Sequence, residues 1–174
     1  ENKMRGGTEN LPGIVGLAEA LHITQEERET EQARLTELRD YMIAELFKRI
    51  PKIVLNGHAT QRLPNNVNVS ILDIEGEAIL LYLDEYGISA STGSACDSQS
   101  LEPSHVILAL GRPYEFAHGS MRFTLGRGTT KEDIDYVVNI LDPVCNVLRK
   151  ISPIDVDVTA YGTDGMSMPS AFVG

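Results

Sequence analysis

Cysteine is scarce in this sequence of 174 residues, which contains only Cys96 and Cys145. Two cysteines provide no disulfide framework, so the sequence favours a reducing compartment, and we expect a cytoplasmic protein. No apolar run reaches the roughly 20 residues that a membrane-spanning helix needs, and no signal peptide is visible. The hydrophobic content of 42% is ordinary for a chain that buries one domain-sized core.

Positive charge is also in short supply. The sequence has 15 basic and 25 acidic residues, which gives a formal net charge of −10. An acidic surface repels both nucleic acid and anionic membranes, so neither is expected as a partner. The four histidines are scattered without the paired spacing of metal ligands, and no stable metal site is predicted.

Two helices are predicted before Pro51. Asn10 is a candidate N-cap for a short helix that ends near Leu21. Thr24 and Glu27 have the spacing of a capping box, which predicts the start of a second, longer helix. At about 1.5 Å per residue this second helix would be roughly 40 Å long, enough to connect two domains.

Alternation of apolar and polar residues predicts two half-buried strands. The apolar positions are Val67, Val69 and Ile71 in one strand and Met121, Phe123 and Leu125 in the other. The alternation directs Arg122 to the opposite face, where it is free to meet a ligand; a surface salt bridge is the alternative. With a helix predicted over 75–85 and a strand over 88–91, the pattern indicates an α+β domain whose sheet is covered on one side.

The last predicted helix begins at Thr129 or Thr130 and carries a near-heptad apolar stripe. Pro143 lies inside this pattern, so we expect a kink or a restart with Asp142 as the new N-cap. Cys145 lies on the stripe and is interpreted as a small core residue.

Residues 94–105, with the sequence S-A-C-D-S-Q-S-L-E-P-S-H, place Cys96 among small polar residues just before a predicted helix. Such a segment buries little apolar area, so we expect a mobile surface loop. An exposed thiol can ionise and react, whereas a buried one usually cannot. On this segment alone, Cys96 is either a reactive cysteine or an ordinary surface cysteine.

Four segments together resemble the cysteine desulfurases of the NifS/IscS type, which belong to the class V aminotransferase family of fold-type I pyridoxal phosphate enzymes. They are R-G-G-T-E-N at 5–10, L-P-N-N-V-N at 63–68, the Cys96 segment through Gly111, and S-M-R-F-T-L-G-R at 120–127. Their order and spacing also match. The resemblance covers essentially residues 1–153.

The resemblance implies the small C-terminal domain of such an enzyme, an α+β unit with a sheet flanked by helices, together with a helical remnant of the α/β large domain. We assign residues 1–30 to that remnant and to the start of the connecting helix. Residues 31–152 form the small domain with the cysteine loop. Residues 153–174 are rich in Gly, Ser, Asp and Thr without a period and are expected to form a flexible tail.

The resemblance also implies an activity, the removal of sulfur from L-cysteine with the cofactor pyridoxal phosphate, giving L-alanine and a persulfide on Cys96. Arg122 would hold the substrate carboxylate, and Thr8 would donate a hydrogen bond to the cofactor phosphate of the neighbouring subunit in a homodimer. The persulfide would pass to an acceptor such as an iron–sulfur scaffold protein or a thiolation enzyme. Cys96 would then also be a transient iron–sulfur ligand.

One residue that the resemblance requires is missing. In this family a lysine that follows a histidine binds the cofactor as a Schiff base, upstream of the Arg-Gly-Gly-Thr segment. None of the lysines has that context; they are Lys3, Lys48, Lys52, Lys131 and Lys150. We therefore expect the C-terminal part of a longer enzyme, inactive by itself.

Two alternatives stay open. A related pyridoxal phosphate lyase, acting on selenocysteine or cystine, would share the fold. A non-enzymatic persulfide carrier would accept sulfur at Cys96 without any cofactor. Asp97 stands where the family often has a small neutral or hydroxyl residue; its charge should raise the pKa of the adjacent thiol, unless it is a solvated bystander.

Overall fold

The computed structural model describes residues 6–92, 104–158 and 166–172. Its elements in chain order are α1 (Leu11–Arg49), β1 (Ile53–Leu55), β2 (Asn66–Ile71), α2 (Gly76–Glu85), β3 (Ser91–Thr92), α3 (His105–Ala109), α4 (Tyr114–His118), β4 (Ser120–Thr124), α5 (Lys131–Ile151) and a short 3-10 helix (Ser170–Phe172). The strands of this described part form an antiparallel sheet in the order β1-β2-β4-β3. Helices and an antiparallel sheet confirm the predicted α+β class.

Helix α1 is one continuous helix of 39 residues, so the prediction of two helices divided after Leu21 is wrong. Asn10 is the N-cap as predicted, and its side chain accepts a hydrogen bond from the Gly13 backbone N–H at 3.1 Å. Thr24 lies inside the helix, where its hydroxyl donates to the Ala20 carbonyl at 2.7 Å. Because the sequence around Thr24 contains neither glycine nor proline, nothing there ends the helix.

The two halves of α1 have different surroundings. The C-terminal half buries Met42, Ile43 and Leu46 in the main core. The N-terminal half leaves five large apolar side chains more than half exposed, namely Leu11, Ile14, Val15, Leu17 and Leu21. The core of the described unit therefore begins in the second half of this helix.

The main core lies between one face of the sheet and the helices α1, α2 and α5. Val67, Val69 and Ile71 of β2 are fully buried in it, as the alternation predicted. A second, smaller cluster contains Val54, Leu72, Phe116 and Val156. Val54 alternates with the core residues of β1, so this cluster lies on the opposite face. The second face of the sheet is thus covered in part, although the prediction was for a sheet covered on one side.

Helix α5 begins as predicted at the N-cap Thr130, whose side chain forms a capping box with Asp133. The helix continues through Pro143, so the predicted restart at Asp142 is wrong. Instead, an Asp142 carboxylate oxygen accepts a hydrogen bond from the Asn146 side-chain amide at 2.9 Å. Core residues on both sides of Pro143 keep the two halves in register, because Leu141, Val144 and Cys145 are all buried.

The elements next to the cysteine segment agree only in part with those predicted from the sequence. Helix α2 matches the prediction over 75–85. Strand β3 contains only Ser91 and Thr92, so the strand predicted over 88–91 is shifted and shorter. Helix α3 is followed by Gly111 in the left-handed conformation at φ +76°, which confirms the predicted glycine stop.

The described part of the C-terminal tail is packed on the domain. Val156 is buried in the second cluster, and its backbone N–H donates to an Asp73 carboxylate oxygen at 2.8 Å. Lys52 forms ion pairs with Asp73 at 2.7 Å and with Asp155 at 2.9 Å. Phe172 packs against the main core. These contacts place described residues of 153–174 against the domain, and the flexible tail assigned to that range stays a prediction.

Two further features concern the described residues. No helix there combines the length and the hydropathy that a bilayer crossing requires. Within the same residues, no three His, Cys, Asp or Glu side chains come together as a set that could hold a metal ion.

Candidate functional site

The candidate site lies on the polar face of the sheet, around Arg122. In β4, Met121 and Phe123 are buried in the core, whereas Arg122 between them is exposed. Arg122 pairs with Asn68 on β2 and with Ser91 on β3, so it lies on an inner strand of the sheet. The structure thus confirms that the Arg122 side chain points away from the core.

The Arg122 guanidinium has no hydrogen-bond or ion-pair partner among the described residues. Within that part of the chain, the alternative of a surface salt bridge therefore finds no acceptor. A guanidinium presents donors in a planar fork that matches a carboxylate, and here that fork is available to a ligand.

Arg122 lines a cavity of about 320 Å³. The wall includes Asn66, Asn68 and Thr92 from the sheet and Ser104 and His105 from the start of α3. Among the described lining residues two are arginines and none is acidic. In a chain with a net charge of −10, this cavity is a local region of positive charge suited to an anion.

A network of amide hydrogen bonds holds the sheet side of the cavity in place. Asn56 is 2% exposed, and its side-chain amide donates to the Asn68 carbonyl oxygen Oδ1 at 2.8 Å and to the Ser70 hydroxyl at 2.9 Å. Its backbone N–H donates to the Asn68 backbone carbonyl at 2.9 Å. These bonds hold Asn68 in place beside Arg122.

Arg62 is the second arginine of the cavity. One of its terminal nitrogens donates to the Asn56 backbone carbonyl at 3.0 Å. Its Nε and Nη1 atoms are buried and have no hydrogen-bond partner among the described residues. Burial lowers the pKa of Arg62, and the nearby charge of Arg39 acts in the same direction.

Sequence reasoning missed Arg62 and the amide network. Asn66 and Asn68 could have been found, because they alternate with the buried valines of β2 and therefore share a face with Arg122. Asn56 and Arg62 lie outside the strands, in a connection without a periodic signal.

The cavity is bounded by both ends of the cysteine segment. Thr92 and Ser104, the last and first described residues around that segment, both line it. Cys96 and Asp97 lie outside the described residues. The structure therefore places the ends of the segment beside Arg122 without describing the thiol.

Thr8 lies apart from the cavity lining, in the exposed segment before α1. Gly7 beside it has φ +94°, a left-handed conformation that favours glycine. An exposed hydroxyl next to such a glycine allows close approach of a phosphate, so this segment fits one end of pyridoxal phosphate.

None of the four lysines that the structure describes lines the cavity, and three of them have other partners. Lys48 pairs with Glu45, and Lys52 pairs with Asp73 and Asp155. The Lys131 ammonium lies 4.3 Å from the centre of the Tyr41 ring. The described residues thus fit the phosphate end of the cofactor and do not supply its lysine.

Cys145 is a core residue, as predicted. It is 1% exposed, and burial raises the pKa of its thiol to about 12. Because the thiolate is the reactive form, Cys145 is unsuited to nucleophilic chemistry.

Comparisons with known proteins show which family the chain is similar to. The sequence profile of the family described as aminotransferase class-V matches residues 1–137. The chain is 54% identical over 153 residues to a cysteine desulfurase IscS of Dictyoglomus turgidum, and 54% identical over 154 residues to one of Methanosarcina thermophila. These matches cover 88% of the chain but only 39% and 38% of the two relatives.

Solved structures give the same picture. A NifS-like protein is similar with a TM-score of 0.72 and 30% identity, over 83% of this chain and 36% of its own. A NifS-like protein from Rickettsia africae is similar with a TM-score of 0.71 and 25% identity, over 82% of this chain and 36% of its own. The chain therefore spans less than half the length of the proteins it resembles.

Proposed function

Because the chain belongs to the class-V aminotransferase family, we propose that the protein containing it is a cysteine desulfurase, which removes sulfur from L-cysteine and leaves L-alanine. The observation that carries this proposal is that Arg122 has no partner among the described residues and lines a cavity whose described lining contains no acidic residue. Both ends of the cysteine segment bound this cavity. Relatives with the same activity in their names are about half identical to the chain.

Arg122 binds the substrate carboxylate in this proposal. The fork of N–H donors can make two parallel, charge-assisted hydrogen bonds to a carboxylate. Asn68 and Ser91 flank Arg122 on the neighbouring strands, and a rigid sheet fixes the position of all three. The substrate is thereby oriented relative to the cavity wall.

Cys96 is the nucleophile in this proposal. It follows Thr92 by four residues, and four residues of extended chain span at most about 14 Å, so the thiol can reach a substrate held by Arg122. The Cys96 thiolate attacks the substrate sulfur, a sulfur–sulfur bond forms and the carbon–sulfur bond breaks. The carbon keeps the electron pair and takes up a proton, giving alanine and a persulfide on Cys96.

The family depends in general on pyridoxal phosphate, which when bound supplies the electron sink for cleavage next to the amino carbon. We propose that Thr8 contacts its phosphate in the neighbouring subunit of a homodimer. The lysine that binds pyridoxal phosphate then lies in the part of the relatives that the chain does not cover. Residues 1–30 then belong with the large domain, and the exposed apolar side chains of the first half of α1 are the surface that meets it.

The persulfide passes from Cys96 to a sulfur acceptor, for which we propose an iron–sulfur scaffold protein or a thiolation enzyme in the cytoplasm. Cys96 then also serves as a transient ligand of a nascent cluster.

Turnover of cysteine by the complete protein tests the proposal. We expect equal amounts of alanine and sulfide in the presence of a thiol reductant, loss of both in Cys96→Ser, and retention of both in the control Cys145→Ala. Production of alanine at the parent rate by Cys96→Ser would contradict the assignment. Release of selenide from added selenocysteine, without release of sulfide from cysteine, would favour a selenocysteine lyase, and acceptance of sulfur at Cys96 without cofactor would favour a carrier.

A further inference from the structure

The cavity around Arg122 contains a second arginine, Arg62, whose charge the carboxylate of cysteine does not require. Arg62 has two buried donor atoms, Nε and Nη1, without any hydrogen-bond partner. Buried donors are nearly always satisfied, because leaving one unpaired costs the free energy of its desolvation. The nearest acidic group, Asp40, already forms an ion pair with Arg39 at 2.7 Å. Arg62 therefore needs an acceptor that the described residues do not supply.

A buried acceptor in the same cavity is also unsatisfied. The Oδ1 atom of Asn56 has no hydrogen-bond partner, although Asn56 is 98% buried. Its amide nitrogen is fully used by Asn68 and Ser70. The Arg62 end of the cavity thus presents a cation with free donors and an amide that is already held in place. Arg62 is therefore part of a preformed polar site, in which a hydrogen bond holds its side chain in place.

The spacing between the two arginines suits a small ligand with two anionic groups. Arg122 pairs with Asn68, Asn68 bonds with Asn56, and Arg62 is anchored on the Asn56 carbonyl. Two strand spacings separate Arg122 from Asn56, which is about 10 Å between backbones. Both arginines line the same cavity of about 320 Å³, which has room for one small amino acid.

From this arrangement we propose that Arg62 is a specificity-determining residue, which binds an anionic side-chain group of a small α-amino acid while Arg122 binds its α-carboxylate. The inference rests on the proposed function, since that function makes an amino acid the ligand. For cysteine the group next to Arg62 is the side-chain sulfur, which is a neutral thiol when the Cys96 thiolate attacks it and which is a weak acceptor for a guanidinium N–H. Small amino acids with a permanent negative charge on the side chain then bind more tightly than their neutral isosteres.

Titration calorimetry of the complete protein with L-aspartate and L-asparagine tests this proposal. The two ligands have nearly the same shape and differ in side-chain charge. We expect aspartate to bind about tenfold more tightly than asparagine, because only aspartate can form charge-assisted hydrogen bonds with Arg62. Arg62→Gln should abolish this preference, and Arg62→Lys should keep part of it. Arg122→Lys should weaken the binding of aspartate and of asparagine to the same extent.

Arg112→Gln is the matched control. Arg112 donates to the Leu55 carbonyl at 2.9 Å but does not line the cavity, so its loss should leave the preference unchanged. A preference for aspartate below about twofold in the parent protein would overturn the proposal even if Arg62→Gln does not fold. A folded Arg62→Gln variant that still binds aspartate about tenfold more tightly than asparagine would also overturn the proposal. Because binding is measured without turnover, failure of the desulfurase function would appear separately as a lack of sulfide release.

Discussion

At the scale of single residues, Arg122 owes its availability to a position on β4 between two buried neighbours. Met121 and Phe123 are anchored in the core, so the side chain between them must point to the polar face. The period of two in the sequence was sufficient to predict this. Arg62 and Asn56 could not be predicted, because their burial results from a fold of the β1–β2 connection that no local pattern encodes.

Arg122→Lys in the complete protein should raise the KM for cysteine about ten- to a hundredfold. Lysine keeps the charge but loses the planar fork, and a charge-assisted hydrogen bond contributes about 1.5 to 3 kcal/mol. Steady-state rates at a series of cysteine concentrations measure this, with the melting temperature as the control for folding. A KM within about twofold of the parent value would remove Arg122 from the substrate site.

Cys145 should make the stability of the fold depend on pH in the alkaline range. Its thiol pKa is raised from 9.0 to about 12 by burial, so between these values the unfolded chain loses a proton that the folded chain retains. Stability should therefore decline as the pH rises above about 9, by up to about 1.4 kcal/mol per pH unit for this group.

Urea unfolding of the parent and of Cys145→Ala across pH 8 to about 10.5 isolates this effect, because other groups titrate in both proteins. The free energies of unfolding should converge as the pH rises. Two parallel curves would show that the Cys145 thiol is not held in its neutral form.

At the scale of elements, the tightest backbone approach lies where β4 begins. A Cβ atom added to Gly119 would lie 2.2 Å from the Ile71 carbonyl oxygen, and the Ile71 N–H donates to the Gly119 carbonyl at 2.9 Å. Both contacts join β2 to β4, the pair that carries Asn68 and Arg122.

Gly119→Ala should therefore destabilise the protein by about 1 to 3 kcal/mol, since backbone atoms cannot move aside as a side chain can. Gly128→Ala is the control, because a Cβ atom there meets nothing within 4 Å. Thermal unfolding of both variants gives the comparison. Equal melting temperatures for Gly119→Ala and Gly128→Ala would contradict this expectation. They would mean that β2 and β4 move apart locally at little cost in free energy.

Element boundaries were predictable where a cap or a glycine sets them and less so elsewhere. Asn10, Thr130 and Gly111 act as the sequence indicated. Thr24 and Asp142 have the residue types of N-caps, yet both lie inside helices. Capping propensity is worth about 1 kcal/mol, which the burial of several core residues on one helix face outweighs.

At the scale of the whole molecule, the apolar side chains on the first half of α1 imply a further packing surface. Leu17 is 72% exposed. In the complete protein, Leu17→Ala should lower the free energy of unfolding by about 2 to 3 kcal/mol if the large domain covers this residue. The same change in the present chain should have almost no effect.

Chemical denaturation of the complete protein and of the present chain, each with and without Leu17→Ala, makes this comparison. Glu19→Ala is the control for a change on the exposed surface of the same helix. Equal effects in both proteins would contradict the assignment of residues 1–30 to the large domain.

The central claim is that the sulfur of cysteine is transferred to Cys96 beside the Arg122 cavity. Peptide mass spectrometry after one turnover without reductant tests it most directly, because it locates the transferred sulfur on a residue. We predict that the peptide containing Cys96 gains the mass of one sulfur atom, in an amount equal to the alanine formed, while the Cys145 peptide is unchanged. Sulfur on Cys145, or alanine formed without any sulfur on Cys96, would contradict the account.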